Sequence, residues 1–238
     1  MNDSQEMFTP SIEDKIEVRR RLRKQIEEAK PRAAQVLKKS GIKPVGRTLI
    51  NVSGELVRKD YEAETDKLTG IPNRDSFFRR GKEELERAKR LGYKISIVIL
   101  DLNNIKQIND TLGYDAGDQK IKDAATCIRE GTRETDVIAR LGGDEFGAVL
   151  AEADYEGSQR WWERVNELLE KKAISIGAGV IEVDPSGLDK DTDWDAKFKE
   201  YRSLADKPLH LAKTQMKFGG DRNTMTTHRE LSERIGHV

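Results

Sequence analysis

Gly142-Gly143-Asp144-Glu145 stands between two runs, DVIARL and EFGAVL, that both read as strand. A plain hairpin turn asks only for a pair such as Asn-Gly. Adjacent carboxylates in a tight turn repel each other, so the pattern calls for positive charge nearby. A third acid, Asp101, closes the run KISIVILD, which is short, apolar and rich in β-branched residues. That is the pattern of a strand buried on both faces. It puts Asp101 at the rim of a sheet, where ligands of such proteins collect. If the two strand ends are neighbours, the acids face one point. Two or three carboxylates there suit a hard divalent cation that takes protein and phosphate oxygens together. Gly142 and Gly143 leave the backbone open to a phosphate or ribose. From these residues alone, a surface hairpin with solvated acids is an equal reading.

The elements that must position these residues follow from periodicity. NRDSFFRRGKEELERAKRLGY reads as a helix capped by Asn73. DAGDQKIKDAATCIREG is helical, with Asp115 and Asp118 at its start. YEGSQRWWERVNELLEKK is a helix, AISIGAGVIEV a strand and DPSGLDKDTDW a polar loop. The last helical segment runs from about Asp195 to Lys217, with a break expected at Pro208 and Asp206 capping a new start. Upstream, apolar residues from Ile12 to Val36 keep mostly helical spacing, interrupted at Pro31. SGIKPVG is a loop before a second short helix ending near Glu64, and residues 1 to about 13 read as frayed. The group RRRLRK reads as a solvated helix side rather than an anion patch, because acids follow it directly. Alternating helices and strands predict an α/β (α+β) class with one central sheet.

Composition narrows the function classes. Lys+Arg and Asp+Glu both total 43, so the formal net charge is zero and no bulk nucleic-acid or membrane binding is expected. An anionic ligand has to be held by a local site. The single cysteine, Cys127, lies on an apolar helical face and reads as a buried thiol; the three histidines are scattered and form no metal cluster. With no signal peptide and no long apolar run, a cytoplasmic protein is expected.

Several ordered motifs resemble the GGDEF family of diguanylate cyclases. GGDEF itself is Gly142–Phe146, DKLTGIPNR starts at Asp66, and DLNNIKQINDTLGYDAGD spans Asp101–Asp118. SIGAGV and LADKPLHLAK resemble the later strand and helix. The resemblance implies a palm-like domain with a mostly antiparallel central sheet flanked by helices, over residues 63–226. A helical dimerisation or regulatory region, 1–62, would precede it, and a tail, 227–238, would follow. It implies condensation of two GTP into cyclic di-GMP with release of two pyrophosphates, between two facing copies of the chain. Asp101, Asp144, Glu145 and the carbonyl of Leu102 would hold Mg²⁺ (or Mn²⁺). Asn109 and Asp118 would read guanine, Asp118 also capping its helix. Lys106, backbone amides at Asn104 and Ile105, and Lys213 would meet phosphates beside Gly142 and Gly143. Arg133 and Asp136 match the R-x-x-D motif of an inhibitory site for the product.

The chain departs from the family pattern at Asn103, Ile105, Tyr114, Pro208 and His210. TQMKFGGDRN delays the family's Gly-Arg-Asn, which leaves Lys217 or Arg222 as the second phosphate cation. The alternative reading is a catalytically weak member that serves as a cyclic di-GMP receptor or adaptor.

Overall fold

The structure is a computed structural model that describes residues 12–189, 191–217 and 223–230. Residues 1–11 of the start expected to be frayed to about residue 13, Arg222, and the tail from 231 lie outside the described residues. The chain divides after Ala63 into two compact units.

The first unit is a pair of helices, α1 (Ile12–Lys39) and α2 (Gly46–Glu64). Of the two outcomes that Pro31 predicts, a kink or two helices, the division does not occur: α1 is one helix through the proline. Losing one backbone bond costs a helix about 3 kcal/mol. Ala29, Ala33 and Leu37 form one buried stripe through the proline, and that burial keeps the helix continuous. Arg32 on α1 meets Asp60 on α2 at 2.7 Å. Leu22, Val36, Ile50 and Tyr61 are exposed on this unit.

The second unit is built around a five-stranded sheet of order β2-β3-β1-β4-β5. In chain order it runs α3 (Arg74–Leu91), β1 (Ile95–Leu102), α4 (Ile105–Leu112), α5 (Tyr114–Glu130), β2 (Val137–Gly142) and β3 (Glu145–Leu150). Then follow α6 (Tyr155–Lys171), β4 (Ile176–Val183), α7 (Trp194–Lys217) and β5 (Thr224–Thr227). All pairings are antiparallel except β4 with β5. Asn73 caps α3 as expected, accepting from the Ser76 N–H at 3.0 Å.

Strand β1 shows why KISIVILD is apolar throughout. Val98, Leu100 and Leu102 join a core with Ile121, Ile128, Trp161 and Val165 of α5 and α6. Ile95, Ile97 and Ile99 join a second core with Phe77, Leu85, Phe198 and Leu209 of α3 and α7. A strand covered on both faces keeps no polar side. Cys127 is buried in the first core, and burial pushes its thiol pKa up, as suits an inert sulfur.

Helix α7 corrects one expectation. It runs unbroken through Pro208, and Asp206 accepts from Arg202 one turn earlier at 2.8 Å instead of capping a new start. Pro208, Leu209 and Ala212 are buried where α7 crosses the sheet, and Ala205 and Leu209 backbone atoms meet β4 at Gly179. Sheet packing thus outweighs the local preference of proline. Strand β5 and the short helix α4 were not foreseen.

A Cβ at Gly179 would overlap the Ala205 carbonyl oxygen and the Leu209 nitrogen, both rigid backbone atoms. Gly179→Ala should therefore destabilise the domain by about 1–3 kcal/mol, the usual range for overpacking. Urea unfolding should show a lower midpoint, and an unchanged midpoint would contradict this contact.

Candidate active site

The rim of the sheet brings the predicted acids together in sequence-distant pairs. Asp101 on β1 lies opposite Glu145 on β3, and the Leu102 N–H donates to the Asp144 carbonyl at 3.0 Å. The turn between β2 and β3 needs its glycines: Gly142 has φ 148° and Gly143 φ 52°, both costly for other residues. A register shift between Arg140 and Gly142 tightens the bend.

Arg140 locks that turn. Its guanidinium donates to the Gly143 carbonyl from Nε at 3.0 Å and Nη2 at 2.7 Å, and to Asp66 from Nη1 at 3.0 Å. Asp66 also accepts from the Thr69 hydroxyl at 2.7 Å and the Thr69 N–H at 3.0 Å. Burial alone pushes the Asp66 pKa up, but Thr69 and Arg140 outweigh it and hold the carboxyl below its ordinary range. The motif DKLTGIPNR is thus a brace for the GGDEF turn, a role that sequence reading did not assign. The only signal was the 74-residue pairing of an acid with a base, which spacing cannot reveal.

Two of the rim acids, Asp101 and Glu145, face cations from α7. Lys213 Nζ stands 2.5 Å from Asp101 Oδ1 in a close ion pair. The Asp101 side chain is only 14% exposed. Burial raises its pKa, Lys213 opposes this, and Asp144 and Glu145 add to it. Arg202 Nη2 lies 3.9 Å from Glu145 Oε2, with Asp206 anchoring the same guanidinium. Arg202 was missed; its spacing of four and eleven residues from Asp206 and Lys213 puts all three on one helix face. As placed, no three acids among the described residues are grouped closely enough to hold a metal ion. The donor set nevertheless fits one: hard oxygens from two strands, one of them buried and taken by the Lys213 ammonium as a stand-in cation.

The neighbouring helices supply further polar groups. Asn104 adopts the left-handed conformation, φ 63°, with no side-chain bond capping α4. The first N–H groups of α4 are thus left without a side-chain cap, and Lys106 next to them is exposed. Ile105 turns its side chain into the core and leaves only its backbone there. Asn103 bonds Ser175 through its amide at 3.0 Å, tying the end of β1 to β4 rather than facing the acids. Asn109 packs against Gly117, where a Cβ would collide with its Oδ1, and that oxygen is buried without a partner. Asp118 follows on α5, exposed; Gly113 is the N-cap of that helix, so Asp118 does not cap it. Tyr114 is 80% exposed and Lys217 is exposed at the end of α7.

Arg133 and Asp136 lie at the other end of the β2–β3 hairpin, roughly 20 Å from the turn at 3.3–3.4 Å per residue. Asp136 accepts from the Arg133 N–H at 3.1 Å and from the Ala151 N–H at 3.0 Å. Burial raises its pKa against these two bonds. Both oxygens are thus engaged, each keeping a lone pair for a further donor. The adjoining cavity holds only about 30 Å³, lined by Arg133, Arg160, Trp161 and Arg164.

A five-stranded sheet with helices on both faces and paired acids at its rim defines an α/β domain of the palm-like class. The chain belongs to the GGDEF domain family, whose model, described as diguanylate cyclase, GGDEF domain, matches residues 63–217. It is 30% identical over 165 residues to the diguanylate cyclase DosC of Escherichia coli (strain K12), covering 64% of this chain and 34% of DosC. The chain thus spans about a third of that curated relative. Among solved structures it is similar to the coiled coil and GGDEF domain of DgcB from Caulobacter crescentus in complex with c-di-GMP. The TM-score is 0.63 at 21% identity, over 82% of this chain and 97% of that one, a likeness of fold. It is also similar to the diguanylate cyclase SiaD of Pseudomonas aeruginosa, solved with its activator SiaC. There the TM-score is 0.59 at 26% identity, over 90% of this chain and 78% of that one.

The Asp66 brace makes a stability prediction. Its lowered pKa means that its contribution is present above the ordinary carboxylate range and lost as pH falls through the folded value. Asp66→Asn should lower stability by about 1–2 kcal/mol near pH 7, the cost of losing a charged hydrogen-bond partner. The gap between variant and parent should close in acid. Denaturant titrations across pH check this, and a gap that widens in acid would reject it.

Proposed function

We propose that the protein is a diguanylate cyclase that condenses two GTP into cyclic di-GMP and two pyrophosphates. The observation that carries this reading is the Asp101–Glu145 register, which sets the acids of two strands side by side against a cation of α7. Asp101, Asp144, Glu145 and the Leu102 carbonyl would hold Mg²⁺ or Mn²⁺. Bound there, the cations would acidify a 3′-hydroxyl and offset charge on the departing pyrophosphate.

The remaining work belongs to the chain. The uncapped N–H groups at Ile105 and Lys106, with the Lys106, Lys213 and Lys217 ammoniums, suit a triphosphate. The unpartnered Asn109 Oδ1 and the exposed Asp118 carboxylate suit the N–H edge of guanine. Each copy holds one GTP. The 3′-oxygen on one copy bonds to the α-phosphorus on the other, the bond to pyrophosphate breaks, and the hydroxyl proton leaves to solvent. Two copies must face each other, so positioning is the main catalytic device and a homodimer is the working form. The exposed apolar side chains of α1 and α2 supply a surface for that pairing. The net charge of zero fits a small-molecule substrate in the cytoplasm rather than nucleic acid or a membrane surface. Among the described residues no helix is long and apolar enough to cross a membrane.

Arg133 would take a phosphate or guanine edge of the product, with Asp136 held ready by Ala151. The small cavity there means that product would rest on the surface, beside Arg160 and Arg164.

Incubation with GTP and Mg²⁺ should release pyrophosphate and cyclic di-GMP, resolved by chromatography. Asp144→Ala should lower the rate by roughly 100-fold or more while leaving the circular dichroism spectrum unchanged. Product formation at the parental rate would refute the assignment. Arg133→Ala should keep the initial rate and weaken inhibition by added cyclic di-GMP; superimposable inhibition curves would remove the R-x-x-D site.

A further inference from the structure

The α7 cations differ in how they are held. Arg202 is 20% exposed and fixed by Asp206 at 2.8 Å, so its charge stays beside Glu145. Lys213 is 37% exposed, and among the described residues Asp101 is the carboxylate paired with it. Its stem lies across β4 at Gly177, where an added Cβ would approach its Cγ to 3.2 Å. Gly177 is the register partner of Asp101 on β4. The missing side chain therefore opens the path by which Lys213 reaches Asp101. A flexible four-carbon stem lying over a glycine can swing outward without moving the helix.

A divalent cation binding to Asp101 meets the ammonium already in its place. Removing that ammonium to water would leave two like charges, metal and lysine, crowded at one rim. A nucleoside triphosphate changes this, because its oxygens can accept the displaced ammonium.

We propose that Lys213 is a surrogate cation for Asp101 in the ligand-free protein, which makes tight divalent-metal binding conditional on a nucleoside triphosphate that draws the lysine away. This deepens the proposed cyclase reading and rests on it. Arg202 acts differently: it is a fixed positive charge that weakens metal binding equally with and without nucleotide. Coupling between two ligands is reciprocal, so metal strengthens nucleotide binding by the same factor.

The test is Mn²⁺ titration of the full chain, read by electron paramagnetic resonance. It is run with and without a GTP analogue whose α,β-bridging oxygen is a methylene, correcting for Mn²⁺ held by the analogue alone. In the parent, the analogue should tighten Mn²⁺ binding roughly 10-fold or more, within the usual range of such couplings. Lys213→Met should bind Mn²⁺ without nucleotide several-fold tighter than the parent, and the analogue should tighten it by a smaller factor than in the parent, the part that direct phosphate ligation supplies. Lys213→Arg, which keeps the charge, should bind Mn²⁺ as weakly as the parent when nucleotide is absent. Arg202→Met should tighten Mn²⁺ in both conditions and leave the effect of the analogue intact. Equal Mn²⁺ affinity of parent and Lys213→Met without nucleotide, with the analogue still tightening both, overturns the surrogate role alone. Failure of every protein to bind Mn²⁺, even with the analogue, overturns the metal site and the cyclase reading with it.

Discussion

Carboxylates gathered at one edge of a sheet repel one another, and the catalytic unit is organised around that repulsion. The antiparallel pairing of β1 with β3 sets Asp101 opposite Glu145, with Asp144 in the adjoining turn. For the buried Asp101, burial and the neighbouring acids both push the pKa up and disfavour the charged form. Two devices resist this. Arg140 and Asp66 fix the backbone of the turn, and α7 presents Lys213 and Arg202 to the acids. The cations lie outside the hydrophobic core, but their placement depends on it. Phe198, Ala205 and Leu209 seat α7 on the sheet, and Gly179 lets it lie close enough for its cations to reach the rim.

Much of this was legible in the sequence, for reasons that vary with the element. KISIVILD reads as a doubly covered strand because its apolar run is continuous, and the structure covers it on both faces. The glycines of the turn stand out in the sequence as bare backbone, and the structure adds that both have positive φ, which few other residues adopt. Local rules failed where tertiary packing decides. Pro31 and Pro208 both lie within continuous helices, since the burial of a whole stripe outweighs one lost backbone bond. Strand β5 is short, is polar by composition and pairs parallel at the edge of the sheet, so it lacks the alternation that marks a strand. Asn223 fixes its start by accepting from the Ile176 N–H, a bond spanning 47 residues.

Long-range charge pairs were the least legible part of the site. Asp66–Arg140 and Arg202–Glu145 join segments far apart in the chain, and in a chain with 43 acids and 43 bases almost any residue has plausible partners. The R-x-x-D segment gives the opposite lesson. Its spacing was visible, but the structure gives Asp136 a second duty, receiving the Ala151 N–H at the far end of the hairpin. Such a residue serves the fold whether or not a ligand is present, so its identity alone says little about binding. Arg133, exposed beside it, has no comparable duty in side-chain bonding and is the sharper reporter of that site.

The choice of arginine or lysine follows the demand made of each cation. Arg140 must hold a carbonyl and a carboxylate in one geometry, and a planar guanidinium with several fixed donors does this with little loss of further freedom. Arg202 is held by Asp206 in the same manner. Asp101 instead faces a point charge on a flexible stem, held in a close ion pair. An arginine there would bind the carboxylate bidentately and be harder to displace. A lysine satisfies a buried acid in the resting protein and can still leave it, which is the property a site needs when its acids must later accept a different cation.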